Sequence, residues 1–365
     1  MLLGYGVDLT LHEIARRLVE AHGCRVDIWT PTSDKTYTAA PYDLRELIVF
    51  GAPVNRALPL LELNAWRALK RLRQRLAREG LRYDVVIAAT HPYYGAGRAL
   101  GVPCVFFNFG NVPTAGFSWR GKLNWMWLDF SERVLHKPQA ARVVSISQFL
   151  HEQQSSRVRQ RGTVIHLGGD HYYPATADAG QHFRERYQLT SNDILVGYCG
   201  RLHRDHPPYK GTREILALGR RITQAEPRAR LVLCGIGSPA DVEWIQSEGA
   251  IAAANLPPSD MPGFYAALDL YVCASHWEGF NLPIVEAAWH GVPTVAYDAG
   301  AHREHVTAVL VPDGHSEQLY TETLHLVRDT ASRRKLGQQT QAKAQQFSWD
   351  RTAAAFAQVL REVVH

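Results

Sequence analysis

The stretch EGFNLPIVEA at 278–287 places two carboxylates, Glu278 and Glu286, on either side of a glycine and a proline. It follows the apolar run LYVCAS, which predicts a buried strand. Gly279 permits a tight turn and a close approach of the backbone to a ligand, and Pro283 suits the first turn of a helix. Free amides at such a helix start favour an anion such as a diphosphate. About one turn into that helix, Glu286 is placed to accept hydrogen bonds from a diol.

This stretch also has a purely structural explanation, in which Glu286 favours the positive end of the helix dipole and Pro283 only starts the helix. The neighbouring runs favour a ligand site. Arg201 and Lys210 follow the apolar run LVGYCG, and glycine and polar residues follow LVLCG and PTVAY. Ligands of open parallel sheets bind beyond the carboxyl ends of the strands. The two cations either hold the phosphates of a nucleotide or are solvated surface charges.

The apolar runs alternate with helical patterns along nearly the whole chain. Continuous apolar strands separated by helices predict parallel sheets covered on both faces, that is, an α/β fold. The strands fall into two series, at 25–30, 83–90, 103–110 and 141–147, and at 194–200, 230–235, 270–275 and 292–297. We therefore predict two Rossmann-like domains, 1–175 and 176–347, with a linker at 172–181 and a final helix at 348–365 that completes the first domain.

The composition is that of an ordinary soluble protein, with 46% hydrophobic and 21% charged residues. No apolar run is long enough for a membrane span. The five scattered cysteines predict reduced thiols in a cytoplasmic protein. Residues 1–190 hold 24 Lys and Arg against 16 Asp and Glu, and much of this excess lies at 64–82. That basic segment is either a solvated helix face or a surface for anionic lipid headgroups or an acidic acceptor, at the inner face of the membrane. No nucleic-acid motif accompanies it.

A second segment in the same half is rich in aromatic residues. Residues 116–138 hold Trp119, Trp125 and Trp127 in a basic context. Core packing explains such residues by default. The alternative is an acceptor pocket or a membrane-facing lid, in which the three indoles act as amphipathic anchors.

Taken together, these motifs resemble family 4 glycosyltransferases of the GT-B fold, in which two Rossmann-like domains face each other across a cleft. The likeness is most specific in CGRL…YKG and EGFNLPIVEA, which resemble the phosphate-binding cations and the paired glutamates of that family. It extends more loosely to GYGVDLTLHEIARRL, YDVVIAATHP, ARVVSISQFL, VIHLGGD and FSWDRTA, so that it covers nearly the whole chain.

The resemblance implies a role for each matching residue. Arg201 and Lys210 would bind the donor diphosphate and stabilise the charge on the leaving nucleotide. Glu286 would hold the ribose hydroxyls, and Glu278 would contact the donor sugar. The remaining substrate-binding and catalytic positions implied in this way are Gly6, His91, Gly279, Phe280, Asn281 and Leu282.

The implied reaction is transfer of a sugar, a hexose in the first instance, from a UDP- or GDP-linked donor with retention of anomeric configuration. It needs neither a metal nor a cofactor, and the chain has no Asp-x-Asp motif. The acceptor is a glycan, a lipid-linked sugar or a small molecule. Two alternatives remain, a nucleotide-sugar epimerase on the same fold and a catalytically impaired nucleotide-sugar-binding protein.

The chain departs from the family pattern at three places. Tyr5 separates Gly4 from Gly6, where the family has adjacent glycines, and Phe109 stands where relatives often carry histidine. The sequence also begins at the loop that follows the family's first strand. We therefore expect the natural protein to have roughly ten to fifteen residues upstream of Met1 that supply this strand, each adding about 3.3 Å to its length.

Overall fold

The computed structural model describes residues 6–30, 40–47, 58–115, 117–204, 208–305 and 309–365. The chain forms two compact units. The first takes in the chain up to Leu167 together with the C-terminal Trp349–His365, and the second spans Gly168–Ser348. The predicted opening strand and its neighbouring glycine, Gly4, lie outside the described residues.

Each unit is built from parallel strands and from the helices that connect them. The strands of the described residues are β1 (Asp27–Thr30), β2 (Asp43–Glu46), β3 (Val86–Ala88), β4 (Cys104–Asn108), β5 (Arg142–Ser145), β6 (Gly162–Val164), β7 (Ile194–Arg201), β8 (Ala229–Ile236), β9 (Ile251–Ala254), β10 (Leu270–Cys273), β11 (Thr294–Asp298) and β12 (Val309–Pro312). The helices are α1 (Gly6–His22), α2 (Leu58–Arg78), α3 (Ala96–Leu100), α4 (Trp119–Phe130), α5 (Gln148–Glu152), α6 (Ser156–Arg159), α7 (Ala179–Arg186), α8 (Thr212–Ala225), α9 (Pro239–Ser247), α10 (Met261–Ala267), α11 (Leu282–Trp289), α12 (Ser316–Arg328), α13 (Thr330–Ala344) and α14 (Trp349–Val364).

In the first unit, the described strands pair as β1 with β2 and as a sheet in the order β3-β4-β5-β6. The run CVFFN of β4 is almost wholly buried, as its unbroken apolar character predicts. The C-terminal helix α14 packs on α1, and Phe356 of α14 lies edge-on to Phe107 of β4 with 4.7 Å between ring centroids. The final helix thus completes the first unit.

In the second unit, six described strands form one parallel sheet in the order β12-β11-β10-β7-β8-β9. Every residue of β10 is buried, and the core side chains of β7, β8, β10 and β11 pack together with α8 and α12. Since β7 and β10 are neighbours, the loops that follow them lie at the same edge of the sheet. This edge carries the predicted site residues of the second unit.

The boundary between the units differs from the predicted one. It falls after Leu167, whereas the sequence analysis places it after 175. The intervening segment packs on the second unit, where the Gly169 amide donates to the Phe347 carbonyl at 2.9 Å and His171 contacts Glu286. Its proline and polar residues do not reveal these long-range contacts.

The cysteines are free thiols, as predicted. Across the part of the chain that the structure describes, no helix combines the length and hydropathy needed to cross a bilayer.

Candidate active site

The site begins with two charged side chains carried by neighbouring loops of the second unit. Lys210 ends a short 3-10 turn between β7 and α8, and Glu278 lies in the loop that joins β10 to α11. The Lys210 Nζ donates to both oxygens of Glu278, at 2.8 and 3.0 Å. The Glu278 side chain is 7% exposed and that of Lys210 is 24% exposed. The family resemblance implies separate roles for these residues, and the sequence pattern does not predict that they pair.

The pairing favours the charged form of Lys210. Burial lowers the pKa of Lys210, but the adjacent Glu278 carboxylate outweighs it, so that the pKa lies above its ordinary value. A charged ammonium is therefore held in a partly buried position at the edge of the sheet. Arg201, the last residue of β7, is exposed at the same edge.

The turn that carries Lys210 depends on the glycine that follows it. Gly211 has φ +67°, and a Cβ atom there would lie 2.1 Å from the Ala274 carbonyl oxygen. The loop of β7 thus approaches the end of β10 closely enough for Lys210 to reach Glu278. Only glycine fits both the conformation and the space.

We expect Gly211→Ala to lower the free energy of unfolding by about 2–4 kcal/mol, because it combines backbone strain with a clash. Gly249→Ala is the matched control, since Gly249 also has positive φ (+82°) but nothing within 4 Å of its Cβ position. The control should lose only about 1 kcal/mol. Urea denaturation of both variants measures the difference. Equal losses of unfolding free energy would show that the close approach to Ala274 does not affect stability.

His276 fixes the same two loops to each other. Its ring nitrogens lie 2.6 Å from Glu214 of α8 and 2.6 Å from Asp313, and its amide donates to the Tyr209 carbonyl at 2.8 Å. Burial lowers the pKa of His276, but the two carboxylates raise it further, so that the net pKa is above its ordinary value. The charged imidazole is thereby stabilised in the folded state.

This pKa shift predicts a pH-dependent contribution to stability. A raised folded-state pKa stabilises fully below the unfolded value of about 6.5, and the contribution is lost as the pH rises through the folded pKa. We expect His276→Gln to lower the thermal midpoint at pH 6, and the deficit to shrink as the pH is raised to about 9. A deficit that is constant or grows with pH would contradict a charged His276.

The loop after Glu278 is fixed by side chains inside the unit. Asn281 caps α11 in a left-handed conformation, φ 74°. Its Nδ2 lies 3.3 Å from the Cys273 sulfur and 2.9 Å from Nε2 of His302. Nδ1 of His302 donates to the Tyr297 carbonyl at 2.6 Å. The Asn281 side chain is therefore engaged within the unit.

Cys273 and His302 form a buried pair that the sequence analysis misses. Burial raises the pKa of Cys273, but the hydrogen bond to His302 outweighs it, so that the net pKa is lowered. For His302, burial lowers the pKa, but Cys273 and Glu278 raise it above its ordinary value. Within the described ranges, Cys273, Glu278 and His302 form one group of potential metal ligands, with ligand atoms within 4.8 Å of one another. Two of these three side chains already have hydrogen-bond partners. Glu278 accepts from Lys210, and His302 donates to the Tyr297 carbonyl.

The second carboxylate of the motif, Glu286, is buried in the second turn of α11. The hydroxyl of Tyr265 on α10 donates a short hydrogen bond to Oε2, and the His171 Nε2 lies 3.2 Å from Oε1. Burial and the carboxylate together raise the pKa of Tyr265 well above its ordinary value, so the phenol stays a donor. A carboxylate has about four lone-pair positions, so Glu286 keeps acceptor capacity for a ligand.

Two predicted site residues belong to the first unit. Gly6 begins α1, and its carbonyl accepts from Thr10 Oγ1 at 2.6 Å. The His91 Nε2 lies 3.3 Å from Oε1 of Glu62, and His136 lies 3.7 Å from the same oxygen. Burial raises the pKa of Glu62, but the two histidines outweigh it and lower the pKa to about 2. His91 is therefore held by a charged carboxylate, while its role and that of Gly6 stay predictions.

Two family models match consecutive parts of the chain. Glycosyltransferase Family 4 matches residues 5–172, and Glycosyl transferases group 1 matches residues 193–329. The chain belongs to glycosyltransferase family 4. The family predicted from the paired glutamates and the two cations is thereby confirmed. In this family 4 protein, each match falls within one of the two predicted domains.

Relatives and solved structures agree with this assignment. The chain is 33% identical over 225 residues to a D-inositol 3-phosphate glycosyltransferase of Salinispora arenicola, a match that covers 56% of this chain and 50% of the relative. The chain thus spans about half the length of the curated relatives it matches. The structure of Anabaena Alr3699/HepE with UDP and glucose has a TM-score of 0.73 at 20% identity and covers 98% of this chain and 96% of its own. A glycosyltransferase from Rickettsia africae has a TM-score of 0.76 at 16% identity, covering 99% and 96%. The predicted GT-B fold with two parallel-sheet α/β units is confirmed.

Proposed function

We propose that this family 4 protein transfers a hexose from a nucleoside diphosphate sugar to a hydroxyl acceptor. The observation that carries the proposal is the preorganised edge of the second sheet, where the Lys210–Glu278 pair lies in the loops that also lead to Glu286. The Anabaena protein of the same fold was solved with UDP and glucose, which supports a UDP-linked donor, with a GDP-linked donor as the other choice.

Different side chains at this edge of the sheet bind different parts of the donor. Lys210 and Arg201 bind the diphosphate by charge-assisted hydrogen bonds, and the ammonium of Lys210 stabilises the charge that develops on the leaving group. Glu286 accepts from the ribose hydroxyls, in an orientation fixed by Tyr265 and His171. The donor sugar contacts Glu278.

The backbone before α11 completes the donor site. The backbone amides of Gly279, Phe280, Asn281 and Leu282 lie at the start of α11, and the first amides of a helix point away from its own hydrogen-bond ladder. The glycosyl hydroxyls or the phosphate accept from them. This accounts for the left-handed Asn281 and for its internal hydrogen bonds, which hold the loop in place without the ligand.

The reaction proceeds with retention and without a metal. The bond between the anomeric carbon and the phosphate oxygen breaks, the acceptor oxygen attacks from the same face, and its proton passes to the departing phosphate. Lys210 and Arg201 supply the positive charge that a divalent cation provides in other sites. No cofactor takes part.

The acceptor is a hydroxyl of a glycan, a glycolipid or a small molecule. The Salinispora relative is named for an inositol phosphate acceptor, which favours a phosphorylated polyol as the first candidate. We place the reaction in the cytoplasm, with peripheral contact between the first unit and the membrane.

The test is turnover of UDP-glucose and GDP-mannose with inositol phosphates and glycolipids as acceptors, in the presence of EDTA. The proposal requires a glycoside with the anomeric configuration of the donor. An inverted product, or loss of activity in EDTA that is restored by a divalent cation, would contradict the mechanism. Conversion of the donor to its epimer would favour a nucleotide-sugar epimerase, and binding without turnover would favour a nucleotide-sugar-binding protein.

A further inference from the structure

One helix of the first unit turns a continuous apolar face to the surface. Trp119, Leu123, Met126 and Phe130 on α4, with Val134 on the π-helical turn that continues it, recur at spacings of three and four residues. They therefore share one side of the helix. These side chains, here called the apolar stripe, are between 47% and 67% exposed.

The opposite side of α4 is anchored to the protein. Trp125 donates its indole N–H to the Val112 carbonyl at 2.6 Å, and Trp127 donates to Glu62 of α2 at 3.1 Å. Leu128 is buried. The two indoles thus fix the helix, in line with the default of packing, and Trp119 is the member of the alternative set of three anchors that lies exposed. The surface instead consists of Trp119 and aliphatic and aromatic residues that the sequence analysis does not single out.

The first turns of α2 add to this surface. α2 packs on α4, and Leu60 and Leu63, on either side of Glu62, are exposed. Farther along the same face of α2, the exposed residues become basic, with Arg67, Lys70 and Arg71 at helical spacing. The apolar surface therefore continues into a cationic helix face.

Charges also flank the stripe on α4 itself. Arg120 and Lys122 are exposed beside Trp119 and Leu123. Arg133 is exposed too, but it is paired with Asp129 at 2.7 Å. An apolar band with cationic flanks fits the boundary between acyl chains and anionic headgroups.

We propose that the apolar stripe, with Leu60 and Leu63, is the surface by which this protein binds anionic lipid bilayers. The apolar side chains insert at the acyl boundary while the basic face of α2 meets the headgroups. A second copy of the chain fits the surface less well, because two such faces would bring their cations together. This inference gives the proposed peripheral contact its surface and does not depend on sugar transfer.

Cosedimentation with vesicles tests the proposal without donor or acceptor. The vesicles are pure phosphatidylcholine, or phosphatidylcholine with about 30 mol% phosphatidylglycerol. The protein should bind the anionic vesicles at least about tenfold more tightly, and binding should weaken as salt is raised. Leu123→Ser combined with Met126→Ser should lower that affinity at least about tenfold.

Matched variants distinguish the surface from general effects. Val364→Ser removes another exposed apolar side chain, 44% exposed at the end of α14, and should leave vesicle binding unchanged. Arg67→Glu with Arg71→Glu should reduce binding to anionic vesicles while leaving the weak binding to neutral vesicles unchanged. Thermal shift by UDP, measured in parallel on the serine variant, should equal that of the parent protein, so that a defect of the nucleotide site is recognised separately.

Three results would overturn the inference. The first is no binding to either kind of vesicle, and the second is equal binding by the parent protein and the serine variant. The third is a dimer of the parent protein in light scattering that the serine variant dissociates, which would assign the stripe to a second copy.

Discussion

Lys210→Ala is expected to lower the turnover number by about tenfold to a few hundredfold. The ammonium is the one charged donor that the described structure shows held against Glu278, at 2.8 Å, and it is expected to bind the leaving diphosphate. A charge-assisted hydrogen bond contributes about 1.5–3 kcal/mol, and each 1.4 kcal/mol corresponds to about tenfold in rate. Steady-state kinetics with saturating donor measures the effect. A change below about twofold would refute the role of Lys210.

The variant also leaves a buried carboxylate without its cation, so stability needs its own control. Lys210→Ala combined with Glu278→Gln removes the uncompensated charge, and its thermal midpoint shows whether the single variant is folded but strained. Lys343→Ala is the matched surface control, since Lys343 is exposed in the last turn of α13. It should leave both turnover and stability unchanged.

Glu286→Ala is expected to raise the dissociation constant of the nucleoside diphosphate by about 10- to 100-fold. The carboxylate is buried and oriented by Tyr265 and His171, so its acceptor positions are fixed before the ribose arrives. Loss of one or two hydrogen bonds to a charged acceptor accounts for this range. Isothermal titration calorimetry with the preferred nucleotide measures it.

The alanine also removes the acceptor of the Tyr265 hydroxyl, which costs about 1–3 kcal/mol of stability. Glu286→Gln keeps one acceptor oxygen and should therefore be more stable than the alanine variant while still binding the ribose more weakly than the parent. Glu317→Ala, which removes an exposed partner of Arg221, is the control. Unchanged affinity in the folded glutamine and alanine variants would exclude Glu286 from the nucleotide site.

Most of the strands that the sequence predicts have a continuous apolar run. β4, β5, β7 and β10 are buried on both faces, so their composition alone reveals them. β2, with the sequence DLRE, is polar, and β6, with the sequence GTV, has one large apolar residue, so neither has a pattern that distinguishes it from a loop. Short edge elements are fixed by their neighbours rather than by their own residues.

The candidate site also contains residues that local sequence locates and residues that it does not. Glu278 and Glu286 follow a recognisable strand and start a recognisable helix, so local sequence locates them. The partners Tyr265, His171 and His302 come from other loops and helices, and their contacts exist only once the strand order is fixed. The pairing of Lys210 with Glu278 depends likewise on the adjacency of β7 and β10, which the sequence does not specify.

The most direct test of the nucleotide-sugar site is thermal-shift binding of UDP, GDP and ADP to the whole chain, with Glu286→Ala measured beside it. One of the three nucleotides should raise the thermal midpoint, and the variant should lose this shift. That result would also identify the base of the donor. A folded protein whose midpoint moves with none of them would contradict the proposed nucleotide-sugar site, because the side chains assigned to the nucleotide lie together in the second unit.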